Sequence, residues 1–236
     1  MSVLWKRREW AALLLGPVAF GREMKETGKY AQEFAANVQS VDIELANGEL
    51  RLEFGARPNI LVEAELEWSG ATPEDLALAR QEVKFEPRVE NGSLRVWVEK
   101  TRERWSSRYQ TRHNVRVALP ETIRVLGRTA NGAVRAEWRK RPTAGVYLRT
   151  VNGEMELGFA NAPDADFRLR TRNGGIYSAF SMAPIPEDIE PAQVTDNGMK
   201  RIVSRTRYAG GRAGRGGPKI EAETTNGDIR VVERKA

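Results

Sequence analysis

Apolar residues recur on alternate positions on both sides of a repeated Asn-Gly dipeptide. Six positions before the Asn stand Val125, Val146, Phe167 and Ile220. Three positions after it stand Leu50, Leu94, Val134, Met155, Ile176 and Ile229, with Lys200 as the exception, and five after it stand Leu52, Val96, Ala136, Leu157 and Val231. A period of two marks a strand with one buried face, so each unit reads as strand, Asn-Gly turn, strand. Asn-Gly suits a type I′ turn, whose two central residues both take positive φ.

The dipeptide is far over-represented. The chain has 11 Asn, and seven of them precede Gly: Asn47-Gly48, Asn91-Gly92, Asn131-Gly132, Asn152-Gly153, Asn173-Gly174, Asn197-Gly198 and Asn226-Gly227. Five sit in a Thr-x-Asn-Gly frame that begins at Thr129, Thr150, Thr171, Thr195 or Thr224, and Asn131, Asn152 and Asn173 follow one another at 21-residue intervals. A coil of this size cannot bury its apolar stripe alone but covers it by stacking on its neighbours. The expected fold is therefore all-β, a β-solenoid or β-helix-like stack, favoured over a Greek-key sandwich. Thr and Asn would run along it as hydrogen-bonding ladders.

One segment breaks the period of two. From Pro73 to Val83 the pattern is helical, with Thr72 as N-cap, Pro73 at the first position and acids in the first turn. Leu76, Ala79 and Val83 share one face, which should pack on the sheet. Residues 102–113 and 181–217 carry no repeat and read as loop insertions; the second holds a flexible basic stretch from Gly210 to Gly217.

The N-terminus bears on the compartment. Lys6-Arg7-Arg8 precedes an apolar run from Trp10 to Phe20, too short to span a bilayer and closer to a signal peptide, with Ala19 and Gly21 as small residues near a cut. Residues 1–21 are thus expected to be a signal peptide or membrane-associated segment, and 22–236 a single β-repeat domain, exported to the envelope or periplasm. The other reading is a cytoplasmic protein with an amphipathic or buried N-terminal segment.

The repeat resembles a known family. Val117-Ala-Leu-Pro120, the stretches Ile123–Val134 and Leu148–Leu157, and the closing Ile220-Glu-Ala-Glu-Thr-Thr-Asn-Gly-Asp-Ile-Arg-Val231 look like the bacterial putative-adhesin family, a domain of unknown function with Thr-x-Asn-Gly-Asp-Ile-like repeats. The likeness covers roughly Phe34 to Val232. It implies a β-solenoid-like envelope or surface domain, in some relatives associated with envelope-stress systems, and transfers no catalytic residue. Lys200 and the basic 181–217 segment depart from the pattern.

Composition narrows the chemistry. Zero Cys excludes disulfides, thiolate catalysis and iron–sulfur clusters, and one His excludes multi-His metal sites. No cofactor or metal is called for. Asp164 and Asp166 resemble half a calcium loop but lack its remaining ligands, so they read as a turn. His113 with Ser106 and Ser107 lacks a nucleophile elbow and reads as part of an exposed loop.

Charge is unevenly spread around a net of +6. Asp42 to Glu90 has 12 acidic and 5 basic residues, Lys100 to Arg141 has 12 basic and 3 acidic, and Lys200 to Lys219 has seven basic and none acidic. The interleaved Arg102, Arg104, Trp105, Arg108, Tyr109, Arg112 and Arg116, with Arg205, Arg207, Arg212 and Arg215 in the second loop, form the candidate ligand surface. Arg offers bidentate contacts to phosphate or carboxylate, and Trp or Tyr offers stacking faces. The leading function is a non-enzymatic envelope or surface protein, adhesin or scaffold, meeting envelope components, acidic polymers or other proteins through its loops. The alternatives are a binder of anionic polymer (nucleic acid or acidic glycan, though no nucleic-acid motif is present) and a carbohydrate-active β-helix enzyme.

Overall fold

The computed structural model describes residues 23–100, 108–185, 195–196, 201–202 and 207–234. The chain forms strands β1 (Met24–Ala35), β2 (Ser40–Asn47), β3 (Leu50–Gly55) and β4 (Asn59–Gly70), then helix α1 (Pro73–Glu82). After the helix come β5 (Val83–Phe85), β6 (Arg88–Glu90), β7 (Ser93–Lys100), β8 (Tyr109–Pro120), β9 (Arg124–Asn131) and β10 (Val134–Trp138). Next are β11 (Val146–Asn152), β12 (Met155–Phe159), β13 (Ala165–Asn173) and β14 (Ile176–Ser178). A two-stranded pair, β15 (Thr195–Asp196) with β16 (Arg201–Ile202), precedes β17 (Arg207–Ala213), β18 (Lys219–Asn226) and β19 (Ile229–Glu233).

The long strands make two mixed sheets. One has the order β1-β4-β8-β3-β10-β12-β19-β14, the other β17-β13-β18-β11-β9-β2-β7-β5 with β6 beside β7. Five Asn-Gly corners carry the chain from the second sheet into the first: β2 to β3, β9 to β10, β11 to β12, β13 to β14 and β18 to β19. Within the stack these strands pair in parallel and in register, so that Asn131 stands opposite Asn47 and Asn152, and Asn226 opposite Asn152 and Asn173. Antiparallel strands close the flanks: β4 and then β1 beyond β8, β5 and β6 on β7, β17 on β13.

The all-β class agrees with the period-two pattern, but the arrangement is that of facing sheets in a sandwich rather than a solenoid wound in chain order. The last coil, β18–β19, inserts between β11–β12 and β13–β14, and β2–β3 lies between β9–β10 and β7–β8. The physical reason lies in the repeat itself. The coils share the apolar stripe and the Asn-Gly corner, so coils distant in sequence can stack on one another.

Both inner faces bury the stripes read from the sequence. Val125, Val146, Ile220 and Phe167 form one row, and Leu50, Val134, Met155 and Ile229 another, all nearly or fully removed from solvent. Phe54, Trp138 and Phe159 stack face to face across three neighbouring strands, with ring centroids 4.6 and 4.7 Å apart. Gly127 leaves room in this core: a Cβ there would lie 2.9 Å from methyls of both Leu148 and Leu50.

Helix α1 starts as expected. Thr72 Oγ1 accepts from the Asp75 N–H, and Asp75 Oδ2 accepts from the Thr72 N–H, each at 3.2 Å, which is a complete capping box. Its Leu76 and Ala79 are buried, while Val83 already belongs to β5. Two expected loops are partly strand. β8 begins at Tyr109, inside the 102–113 segment, and β17 occupies 207–213 because its Gly-rich backbone lies antiparallel along β13.

The turn conformation also differs from expectation. Only Asn91-Gly92, which joins the antiparallel β6 and β7, has positive φ at both residues (50° and 78°) among the described Asn-Gly pairs. At the five corners the Asn has no positive φ, and Gly answers to crowding, joined at Gly48, Gly132 and Gly227 by a positive φ of 132–158°. A Cβ on Gly132, Gly153, Gly174 or Gly227 would overlap the carbonyl oxygen of the corner Gly beneath it. Gly153→Ala should therefore cost about 3 kcal/mol or more of unfolding free energy. Gly92→Ala, whose Cβ would meet only flexible atoms of Gln39 at 3.7 Å or beyond, should cost about 1 kcal/mol through its backbone strain. Urea denaturation of the two variants checks this; equal losses would contradict the crowding argument.

Candidate functional site

At the corners the residues of the Thr-x-Asn-Gly frame bond to one another. Each Asn amide donates to the next Asn: Asn173 Nδ2 to Asn226 Oδ1 (2.7 Å), Asn226 to Asn152 (2.6 Å), Asn152 to Asn131 (2.7 Å) and Asn131 to Asn47 (2.8 Å). The row ends where Asn47 Nδ2 donates to the Thr111 carbonyl at 3.4 Å. Every amide in the ladder thus points the same way. Thr129, Thr150, Thr224 and Thr171 are buried and donate their hydroxyls to the carbonyls of Gly48, Gly132, Gly153 and Gly227, at 2.9–3.3 Å. Backbone bonds match them: the N–H groups of Gly48, Gly132, Gly153 and Gly227 donate to the carbonyls of Asn131, Asn152, Asn226 and Asn173. Asn197-Gly198 lies outside the described residues.

The arginine candidates do not gather into one surface. Arg102, Arg104, Trp105 and Arg205 lie outside the described residues, as do Ser106 and Ser107. Arg108 Nε donates to Asp75 Oδ1 at 2.7 Å and ties β8 to the start of α1. Tyr109 is buried against Ala79 and Val83, and its hydroxyl donates to Glu82 Oε2 at 2.8 Å, so it offers no stacking face to solvent. Arg112 is exposed opposite Glu67 and lines, with Lys25, Asn47 and Asn131, a cleft of about 510 Å³. The backbone of Arg207 stands beside Thr171. Arg212 and Arg215 lie at the other end of the stack, toward β13 and β17.

These last two are engaged by Asp166 and Asp164. Arg212 Nε and Nη2 donate to the two carboxylate oxygens of Asp166 at 2.9 and 3.1 Å. Asp164 accepts from the Arg215 backbone N–H at 3.0 Å, from the Arg215 guanidinium at 3.0 and 3.2 Å, and from Arg141 at 2.6 Å. The Arg215 backbone and side-chain donors hold the Asp164 carboxyl below its ordinary range, and Arg212 does the same for Asp166. The two acids are clamps for the β17 segment. His113 is likewise not in a loop: it points inward from β8, only 2% exposed, with its ring 6.4 Å from that of Phe85.

A second network covers the outer face of the first sheet. Arg116 makes a bidentate pair with Glu53, both bonds 2.7 Å, and also bonds Glu63. Its guanidinium is held charged well above its ordinary value, mainly by Glu53 and then Glu63. Arg51 and Arg135 both bond Glu49, Arg230 bonds Asp228 at 2.6 Å and Glu154 at 3.0 Å, and Arg234 bonds Glu156. The signal for this lay in the repeat: acids two positions after Asn (Glu49, Glu154, Asp228) and arginines four after (Arg51, Arg135, Arg230). A cleft of about 450 Å³ over this face is bounded by Tyr30, Glu49, Arg51, Glu63 and Arg116. Burial pushes the Tyr30 hydroxyl up to about 12.

The Asp166 clamp has a definite pH signature. A carboxyl depressed in the folded state adds stability above its unfolded pKa, near 3.9, and loses that contribution as pH falls through the folded value. Asp166→Asn should therefore melt below the parent at pH 7, with the gap narrowing as pH falls below the ordinary carboxylate range. A gap that stays constant across that acid titration would show that the loss is steric rather than ionic.

No family model matches the chain. A search of curated proteins gives no match either. Solved structures show distant likeness. A "putative cell adhesion protein" from Clostridium sporogenes aligns over 88% of this chain and 100% of its own, with TM-score 0.45 and 9% identity. A "putative adhesin" from Parabacteroides distasonis aligns over 64% of this chain and 60% of its own, with TM-score 0.27 and 8% identity. A "putative adhesin" from Bacteroides fragilis aligns over 86% and 97%, with TM-score 0.22 and 8% identity.

Proposed function

We propose that the chain is a non-enzymatic bacterial envelope or surface protein, an adhesin or scaffold whose stacked Asn-Gly corners form a stiff platform for its exposed faces. The observation that carries this reading is where the repeated residues spend their hydrogen bonds. Asn amides bond Asn amides and Thr hydroxyls bond Gly carbonyls, so the most redundant part of the sequence builds rigidity. Recognition falls to the outer faces and the flanking segments, as in other proteins where a rigid frame displays variable surface. The engagement of Arg108, Arg212 and Arg215 by Asp75, Asp166 and Asp164 counts against a dedicated polyanion surface at those positions. Export would follow from residues 1–21 acting as a signal.

Cell fractionation with intact-mass analysis tests the reading. The expected outcome is protein in the envelope fraction, either lacking about its first 21 residues or held to the membrane by them. Full-length protein confined to the cytoplasm would overturn it. A salt titration on immobilised polyanion should show the same weak retention for the parent and for an Arg212→Ala, Arg215→Ala variant, whereas a loss of retention in the variant would favour the polymer-binding alternative.

A further inference from the structure

The cleft on the outer face of the first sheet holds polar groups that the ion-pair network does not use. At about 450 Å³ it falls within the size range of small-ligand sites. Its walls come from outward positions of β1, β4 and β8 and from the start of β3, where they alternate with buried residues of the same strands. Register sets these positions in rows. Ala31, Glu63, Arg116 and Arg51 form one row across the four strands, and Lys29, Glu65 and Asn114 form the next.

The first row is committed. Arg116 bonds Glu53 and Glu63, and Arg51 bonds Glu49, so the long side chains bordering the cleft hold one another in place. The second row is not. Asn114 Oδ1 accepts from the Glu49 backbone N–H at 3.0 Å, which fixes the amide and leaves its two Nδ2 donors pointing away from that bond. Among the described residues nothing accepts from Nδ2, and neither Glu65 nor Lys29 has an ion pair. The row therefore presents an ammonium donor, a carboxylate acceptor and an amide donor. Glu65 and Asn114 stand directly opposite each other on β4 and β8, about 5 Å apart at Cβ.

We infer that this cleft binds a neutral saccharide, with Glu65 and Asn114 taking two neighbouring hydroxyls of one sugar ring. Charge selects against ions. An anion would meet Glu49, Glu63 and Glu65, a cation would meet Lys29, Arg51 and Arg116, and both guanidiniums are already paired. A ligand for the second row must donate to Glu65 and accept from Asn114 and Lys29. A hydroxyl does both at one atom, and adjacent ring hydroxyls offer this twice. Ala31, the short side chain at the end of the first row, gives the C–H face of the ring an apolar contact. This assignment rests on the reading that recognition falls to the outer faces, and it names the ligand class for one of them.

The full chain is titrated with the methyl glycosides of glucose, galactose, mannose and N-acetylglucosamine, with binding read by saturation-transfer NMR. Saturable binding of at least one is expected. Asn114→Asp keeps an oxygen for the Glu49 N–H but removes the Nδ2 donors, and Glu65→Ala removes the acceptor. Each should weaken binding about tenfold or more (a loss of roughly 1.4 kcal/mol), with melting temperature reporting whether the variant is folded. Glu65 is exposed, so its variant decides the matter even if Asn114→Asp unfolds. No saturable binding of any glycoside, or parental affinity in either folded variant, would overturn the inference. So would tighter binding of methyl glucuronide than of methyl glucoside, which would make the cleft an anion site. Absent binding in a protein that fractionates with the envelope would remove the saccharide alone, whereas a cytoplasmic protein that binds would remove the envelope reading alone.

Discussion

The structure depends on how closely one corner lies on the next. Gly132 donates its N–H to the Asn152 carbonyl and has the Gly48 carbonyl where its Cβ would be, and the same arrangement recurs at Gly153 and Gly227. Backbone at this separation leaves no space for any side chain on the Gly. It also brings the flanking Asn and Thr side chains within bonding distance of their equivalents. The parallel register of the strands on either side follows, and with it the alignment of apolar residues into continuous rows. The hydrophobic rows supply the larger free energy, but they do not by themselves define a register; a slip would break every corner bond at once.

Much of this was legible in the sequence because the corner demands particular residues. Asn-Gly at regular spacing, Thr two before it and apolar residues at fixed offsets pointed to stacked strand–turn–strand units, and Thr72-Pro73 pointed to the helix start. The stacking order was not legible. The coils share one apolar spacing, so the period alone did not say that the coil formed by Lys219–Glu233 belongs between two earlier ones. The turn geometry was misread for a related reason: Asn-Gly satisfies a hairpin at Asn91, through positive φ at both residues, and a crowded corner at Asn152, through the missing Cβ. One dipeptide meets two different physical demands.

The charged residues were less legible because net charge says little about pairing. The basic stretch at the end of the chain looked unopposed, yet Asp164 and Asp166, some 46 to 51 positions earlier, face it. Exposed pairs of this kind contribute little individually. Their collective effect is to set acids among arginines that the register places side by side: Arg51 lies between Arg116 and Arg135, and Glu49 and Glu53 bond them. Tyr109 and His113 show the complementary case: polar residues in a basic segment that alternation on β8 turns inward.

The asparagine ladder also bears on how the protein ages. Asn followed by Gly is chemically fragile, because the Gly backbone nitrogen attacks the side-chain carbonyl to form a cyclic imide, and heat-adapted proteins use fewer such labile residues. In the stack that nitrogen donates its hydrogen to the neighbouring corner, and the amide it would attack is bonded from both sides. Asn131, Asn152 and Asn226 are held in this way, whereas Asn91 sits in a turn with neither restraint among the described bonds. The packing that fixes the register thereby also guards the dipeptide most exposed to spontaneous decay, Asn47 included, and chemical damage would begin at Asn173 and the hairpin.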